Sequence, residues 1–389
     1  MKKILSLNKI AKEGLDLFPL DKYELGTEIT NPEAILLRSF KMHDMDLPES
    51  LLAVGRAGSG VNNIPIDKCA EKGIVVFNTP GANANAVKEL AIAGLLLASR
   101  DIAKGIAYAE TLKGKGDEVP GLVEAEKKNF AGQEVKGKIL GVIGLGKIGV
   151  MVANSAMGLG MEVVGYDPFI SVDSAWGLSR AVQKAEGLDS LFAKSDYITI
   201  HTPLIDETKG LISKEKIKLM KKGVRILNFS RGGIVNNDDL KEAITEGIVA
   251  KYITDFPDDE VLNMENVVAI PHLGASTEEA ESNCAVMAAN QVKNFLEKGN
   301  IKNSVNFPDS KLERSSDFRL LVMNKNIPNM VGQISAILAK ADINILEMLN
   351  KSKNDYAYTI IDVEPQPDEK LIEKIYSIEG VVKVRSLVL

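Results

Sequence analysis

Short apolar, β-branched runs alternate with helical patterns through roughly the first 300 residues, and this alternation is the signature of parallel α/β sheets. The early runs are "KILSL", "AILLRS" from Ala34, "LLAVGRA" from Leu51 and "IVVFNTP" from Ile74. A second series follows: "KILGVIGL" from Lys138, "EVVGYD" from Glu162, "YITIH" from Tyr197, "VRILNFS" from Val224, "KYITD" from Lys251 and "VVAIPH" from Val267. Between the series, "NAVKELAIAGLLLASR" (85–100) is apolar nearly all round, which predicts a helix buried between domains or subunits. After them, "TEEAESNCAVMAANQVKNFLEKGN" reads as one long amphipathic helix that returns the chain to its first domain. The polar, unperiodic "NSVNFPDSKLERSSD" from Asn303 predicts a linker. Beyond it the order is strand, helix, strand, strand, helix, strand, a βαββαβ ferredoxin-like pattern. The expected fold is therefore α/β, with two doubly wound parallel-sheet domains and a small C-terminal module. The expected bounds are 1–97 with 277–302 for a discontinuous first domain, 98–276 for a Rossmann domain, 303–316 for the linker and 317–389 for the module.

At 389 residues, two or three domains are expected. The net charge of −6 argues against a nucleic-acid surface, so any anion must bind in a local pocket. Cys69 and Cys284 lack the spacing of a disulfide framework or a zinc site, and they fit buried thiols in a reducing cytoplasm. The apolar part of "MKKILSLNKI" is too short for a signal peptide, and no run approaches a membrane span.

"VIGLGKIG" places Gly144, Gly146 and Gly149 directly after a strand and before a helical pattern. Such a turn brings backbone close to a pyrophosphate, whose charge rests at the helix N-terminus. A lone GxGxxG is a common turn, but here the next strand ends in Asp167, about twenty residues on, where a ribose diol is expected. An acid at that point would repel a 2′-phosphate, so the expected cofactor is NAD rather than NADP.

Of three histidines, His43 lies in a polar loop and reads as a surface residue. His201 and His272 end strands of the second series, as do Asp167, Arg231 and Asp255. Ligands bind at the carboxyl ends of such strands, so these five should line one crevice. Exchange of a hydride between a nicotinamide and an alcohol needs a proton acceptor and a cation for a neighbouring carboxylate. His272 beside an acid suits the first role and Arg231 the second. Four acids precede His272 (Asp255, Asp258, Asp259 and Glu260), and spacing alone leaves its partner open. No metal-ligand cluster is evident. In the first domain, "VGRAGSGVNN" from Val54 is a glycine-rich turn that fits either a carboxylate cradle or a structural turn.

Together "GRAGSGVNNI", "GIVVFNTPGANANAVKEL", "GKILGVIGLGKIG", "NFSRGGIVN" and "PHLGAST" resemble the D-2-hydroxyacid dehydrogenase family across essentially the whole chain. The resemblance implies a catalytic trio of Arg231, Glu260 and His272, with Asp255 facing the nicotinamide and Asp258 and Asp259 left as solvated loop charges. The family's D-V-F-x-x-E-P segment is "DFPDDEV" here, which keeps the spacing but lacks the valine and the proline. Cofactor residues implied by the motifs are Gly144, Gly146, Lys147, Ile148, Gly149, Asp167, Thr79, His201, Thr202, Pro203, Ser230, Asp255 and Gly274. Ser59 and Gly60 would hold the substrate carboxylate, and Arg38 and Arg56 are the cations available for a substrate phosphate. The C-terminal module looks like an ACT domain, an amino-acid sensor that pairs with another copy. This points to the branch that oxidises 3-phospho-D-glycerate to 3-phosphonooxypyruvate, the first committed step towards L-serine, with L-serine as effector and a dimer or tetramer as the assembly. The implied effector residues are Asn324, Asn326 and Asn344. Asn324 stands where serine-inhibited members carry histidine, and Asn329 replaces a glycine. Two other readings are a glyoxylate or hydroxypyruvate reductase and an NAD-sensing corepressor.

Overall fold

The structure is a computed structural model in which residues 1–388 are described. The chain divides into two compact units, residues 1–82 together with 278 onward, and residues 83–277. No helix among the described residues is long and apolar enough to cross a membrane.

The first unit opens with a five-stranded parallel sheet of β1 (Lys2–Leu7), β2 (Tyr23–Gly26), β3 (Ala34–Leu37), β4 (Ala53–Arg56) and β5 (Val75–Phe77), in the order β2-β1-β3-β4-β5. Every residue of β3 and β5 is buried, as expected of parallel strands covered on both faces. β2 was not expected: "YELG" has no β-branched run, and its pairing with β1 supplies the strand. The helix Glu278–Lys298 lies across β4, at a point where Gly55 admits it. A Cβ there would stand 2.8 Å from Val292 and 2.9 Å from Leu36.

The second unit carries seven parallel strands: β6 (Ile139–Ile143), β7 (Glu162–Tyr166), β8 (Gln183–Lys184), β9 (Tyr197–Ile200), β10 (Val224–Asn228), β11 (Val249–Thr254) and β12 (Val267–Ala269). Their order is β12-β11-β10-β9-β6-β7-β8, so the chain reverses direction across the sheet between β6 and β9. Six of these strands match the second apolar series, and β8 is a two-residue polar edge without a hydrophobic signal. The helix Ala84–Ser99 packs on β10, β11 and the helix Lys147–Gly158, and Gly94 leaves room for the Phe229 ring.

The C-terminal module, in the first unit, is an antiparallel sheet of β13 (Phe318–Lys325), β14 (Asn344–Lys353), β15 (Tyr356–Glu364) and β16 (Val381–Val388), ordered β14-β15-β13-β16. Leu321, Met323, Tyr358, Ile360 and Leu387 share one core with Phe77, Phe295 and Leu296 of the first sheet and its helix. The stretch read as a linker is packed in. Phe307 and Ser310 are buried, Val305 N donates to Val76 O (2.9 Å), and the Asn306 amide bonds Val76 N and Ile74 O.

Candidate active site

The topological switch point lies at the carboxyl end of β6, and the glycine-rich turn occupies it. Gly144 has φ +89, and a Cβ there would come within 2.6 Å of His201 O. At Gly149 a Cβ would meet Gly144 O at 1.9 Å, so this glycine lets the helix Lys147–Gly158 start against the turn. Gly146 differs: a Cβ there would meet nothing within 4 Å. The backbone thus faces open space at the helix N-terminus, where a diphosphate needs it exposed. Lys147 begins the helix, and Ile148 packs onto the core beneath it. Asp167 caps the far side of the turn, accepting from Leu145 N (2.8 Å) and Phe169 N (2.8 Å).

Past β9, His201 Nε2 bonds Thr199 Oγ1 at 2.9 Å, and burial pushes its pKa down to about 4. Next to it the buried Thr202 Oγ1 has no partner, and Pro203 O accepts from Thr208 Oγ1. Past β10, Ser230 Oγ donates to Ile200 O (2.5 Å), which ties this loop to β9. Asn228 Nδ2 donates to Arg231 O (2.8 Å) and to Tyr252 Oη (3.2 Å), and the exposed Arg231 donates from Nη1 to Ser230 O (2.6 Å). Neither Asn228 nor Tyr252 was legible as a site residue.

The acids before His272 have separate fates. Asp255 directly follows β11 and is 1% exposed; Oδ2 accepts from Gly274 N (3.3 Å), while Oδ1 has no partner among the described residues. Burial raises its pKa, and the nearby His272 and Arg231 charges with the Gly274 amide oppose that without cancelling it. Asp258 is an exposed loop residue, as expected, and it also caps a helix. Its Oδ1 accepts from Val261 N (2.8 Å) and so satisfies an amide at the start of the helix Asp259–Leu262. Asp259 is exposed on the first turn of that helix. Glu260 Oε2 accepts from Asn237 Nδ2 (3.0 Å), and no hydrogen bond joins Glu260 to His272 among the described residues. The exposed His272 ring lies against Phe256, with centroids 4.6 Å apart. The second sheet therefore gathers Asp255, Arg231 and His272 into one electrostatic group, with Glu260 on the adjoining short helix.

In the first unit, Arg38 follows β3 and Arg56 ends β4. Arg38 pairs with Glu281 at 2.5 Å, and its carbonyl accepts from Arg56 Nε (3.1 Å) and Asn63 Nδ2 (3.2 Å). The Arg56 guanidinium folds over Gly58, where a Cβ would be 1.7 Å from it and φ is +147. Ser59 O accepts from Asn78 Nδ2 (2.7 Å), which fixes the turn that contains Ser59 and Gly60. Thr79 N donates to Gly58 O, and the buried Thr79 Oγ1 has no partner among the described residues. Asn63 and Asn78, the side chains that hold this loop, lie within the glycine-rich and "GIVVFNTP" motifs, but no pattern there singles them out. A cavity of about 900 Å³ elsewhere in this unit is lined by Lys2, Lys22, Glu297, Lys298 and Arg314, and by none of the candidate residues.

In the C-terminal module, Asn324 is buried and donates to Lys325 O (2.7 Å), with its Oδ1 unpaired. Asn326 donates to Asn354 O (3.1 Å) in the β14–β15 hairpin. Asn344 begins β14 opposite Glu364, whereas Asn324 pairs with Ala357, so one chain holds these residues at opposite ends of the sheet. Asn329 adopts φ +66, a left-handed conformation that asparagine shares with the glycine it replaces.

Residues 92–274 match the model of the D-isomer specific 2-hydroxyacid dehydrogenase, NAD binding domain. The chain is 35% identical to D-3-phosphoglycerate dehydrogenase of Methanocaldococcus jannaschii over 342 residues, 85% of this chain but only 62% of that protein's length. It is 31% identical to D-3-phosphoglycerate dehydrogenase of Escherichia coli over 384 residues, covering 95% of this chain and 90% of the relative. Among solved structures, NAD+-bound 3-phosphoglycerate dehydrogenase of Entamoeba histolytica aligns at TM-score 0.60 and 27% identity, over 78% of this chain and 98% of that one.

Proposed function

This chain belongs to the D-2-hydroxyacid dehydrogenase family, and we propose that it oxidises 3-phospho-D-glycerate to 3-phosphonooxypyruvate with NAD. The observation that carries the substrate is the likeness to a relative of that activity along 95% of the chain, C-terminal module included. The two arginines beside the Ser59–Gly60 turn support it, because a phosphorylated acid needs cations beyond the one that binds its carboxylate.

The chain's residues fit NAD: Gly146 leaves backbone open at a helix N-terminus, and the buried Thr79 and Thr202 hydroxyls lack protein partners. When bound, NAD supplies the hydride acceptor. The turn from Gly144 to Gly149, with Lys147 and Ile148, holds the diphosphate, and Asp167 the ribose. Thr79, His201, Thr202, Pro203, Ser230, Asp255 and Gly274 border the rest of the cofactor. His201 is neutral at physiological pH, so it adds no charge there.

On the substrate side, His272 accepts the hydroxyl proton, with Glu260 as its acidic partner. Arg231 holds the carboxylate and carbonyl oxygens by paired hydrogen bonds, with the Ser59 and Gly60 backbone on the same carboxylate. Arg38 and Arg56 take the phosphate. A homo-oligomer with L-serine as effector belongs to the same reading: Asn324 and Asn326 can share a ligand with Asn344 only if two copies contribute. The buried free thiols of Cys69 and Cys284 suit a reducing cytoplasm.

NADH formation with 3-phosphoglycerate, compared with glycerate, tests the substrate. Faster turnover of the phosphorylated acid is expected. Equal rates would make the chain a general 2-hydroxyacid dehydrogenase, and no NADH with either would favour a binding protein. Thermal shift with L-serine tests the effector, since a ligand bound only to the native state stabilises it; an unmoved midpoint overturns that part.

A further inference from the structure

The geometry points to Asn237 as the residue that positions Glu260. This inference rests on the reading of Glu260 as the acid–base partner of His272, and it concerns how that carboxylate is held. Asn237 is the first residue of the helix Asn237–Thr245, and the preceding Asn236 caps that helix by accepting from Asp239 N (3.0 Å). From this anchored position Asn237 Nδ2 donates to Asp258 Oδ2 (2.9 Å) and to Glu260 Oε2 (3.0 Å). A primary amide has two N–H groups, so both are used, one on each carboxylate. Asp258 is in turn anchored, because its other oxygen caps the helix Asp259–Leu262. Glu260 is thereby tied to a fixed point through one oxygen, and Oε1 is left for the imidazole.

The choice of an amide matters chemically. Glu260 is exposed, and a glutamate on the first turn of a four-residue helix has rotamers to lose before it can face another residue. A lysine in place of Asn237 would hold the carboxylate but also neutralise its charge. The neutral donor orients the group and keeps its charge. The other titratable groups on the elements that meet here are Asp258 and Asp259 on the short helix, and Asp238, Asp239, Lys241 and Glu242 on the helix that carries Asn237. Asp239 and Glu242 are engaged by Lys214, and β12, on which the short helix packs, has no titratable residue.

The test is the pH profile of kcat for oxidation in Asn237→Ala, Asn237→Leu, Glu260→Gln and the double variant Asn237→Ala/Glu260→Gln. Asn237→Ala is expected to lower kcat roughly tenfold, short of full loss of general-base assistance, with KM for the hydroxy acid unchanged. Its acid limb should move towards that of Glu260→Gln. In the Glu260→Gln background the same substitution should cost nothing further, because it acts only through Glu260. Asn237→Leu, which keeps the bulk and removes the donor, should behave as Asn237→Ala. A wild-type limb in the Asn237 variants, or an equal loss in both backgrounds, overturns the inference alone. An unmoved limb in Glu260→Gln overturns the reading of Glu260 and the inference with it.

Discussion

Burial pushes the pKa of His201 down to about 4 from an ordinary 6.5. As pH falls, the unfolded chain therefore takes up this proton before the folded one does. Stability should be whole above about pH 6.5 and decline towards pH 4. Urea unfolding between those limits should show a shallower decline in His201→Asn. His272 is exposed, and there the prediction concerns rate. On the proposed reading of Glu260 as the partner of His272, Glu260→Gln should move the acid limb of kcat/KM. Asp259→Asn should leave it in place, since Asp259 is an exposed charge on the first turn of its helix. An equal shift in both variants would remove the distinction between the two acids. The strand-end positions of Asp167, His201, Arg231, Asp255 and His272 were legible because parallel strands deliver their following residues to one edge. Asn237 and Phe256 were not, because their partners depend on how separate loops meet in space.

The turn between β6 and the helix Lys147–Gly158 allows the glycines to be told apart by experiment. Gly149→Ala places a methyl group 1.9 Å from Gly144 O, so it should unfold at lower temperature with or without cofactor. Gly146→Ala meets nothing within 4 Å and has φ −70, so the free protein should keep its midpoint. The added methyl group should instead abolish most of the thermal shift that NAD produces. If the two variants lose stability alike, Gly146 has a packing role and the open space is not the diphosphate site. The three glycines and their spacing were visible in the sequence. Which of them faces a neighbour and which faces open space depended on where β9 placed His201 beside Gly144 and on how the turn brings Gly144 O over Gly149. β2 and β8 went unseen for a related reason: "YELG" and "QK" become strands only because a neighbouring strand offers them a ladder.

At the scale of the whole molecule, Arg319 anchors the C-terminal module to the first sheet's helix. It is 1% exposed, holds Asp362 with Nε and Nη2 (2.6 and 2.8 Å), and donates to Lys298 O, Leu312 O and Glu313 O. Burial pushes the Asp362 carboxyl up, but the Arg319 guanidinium and the Ser315 amide outweigh it and hold the group below its usual range. Its contribution is present above the ordinary carboxylate pKa and is lost as pH falls through the lowered one. Asp362→Ala leaves a buried guanidinium unpaired and should cost about 3–5 kcal/mol in denaturant unfolding. A change below about 1 kcal/mol would show that water reaches the site. Sequence alone determined the two α/β repeats, the glycine-rich turn with Asp167 at the end of the next strand, the strand-end polar residues and the βαββαβ pattern. Each of these is written in local periodicity or in residue types at fixed spacing. Tertiary structure decided that Asp258 is a cap, that Glu260 accepts from Asn237, that Asn324 and Asn344 lie at opposite ends of one sheet, and that the polar stretch after Asn303 is packed. Those outcomes depend on long-range register and on where distant backbone groups find partners, and no local pattern carries that information.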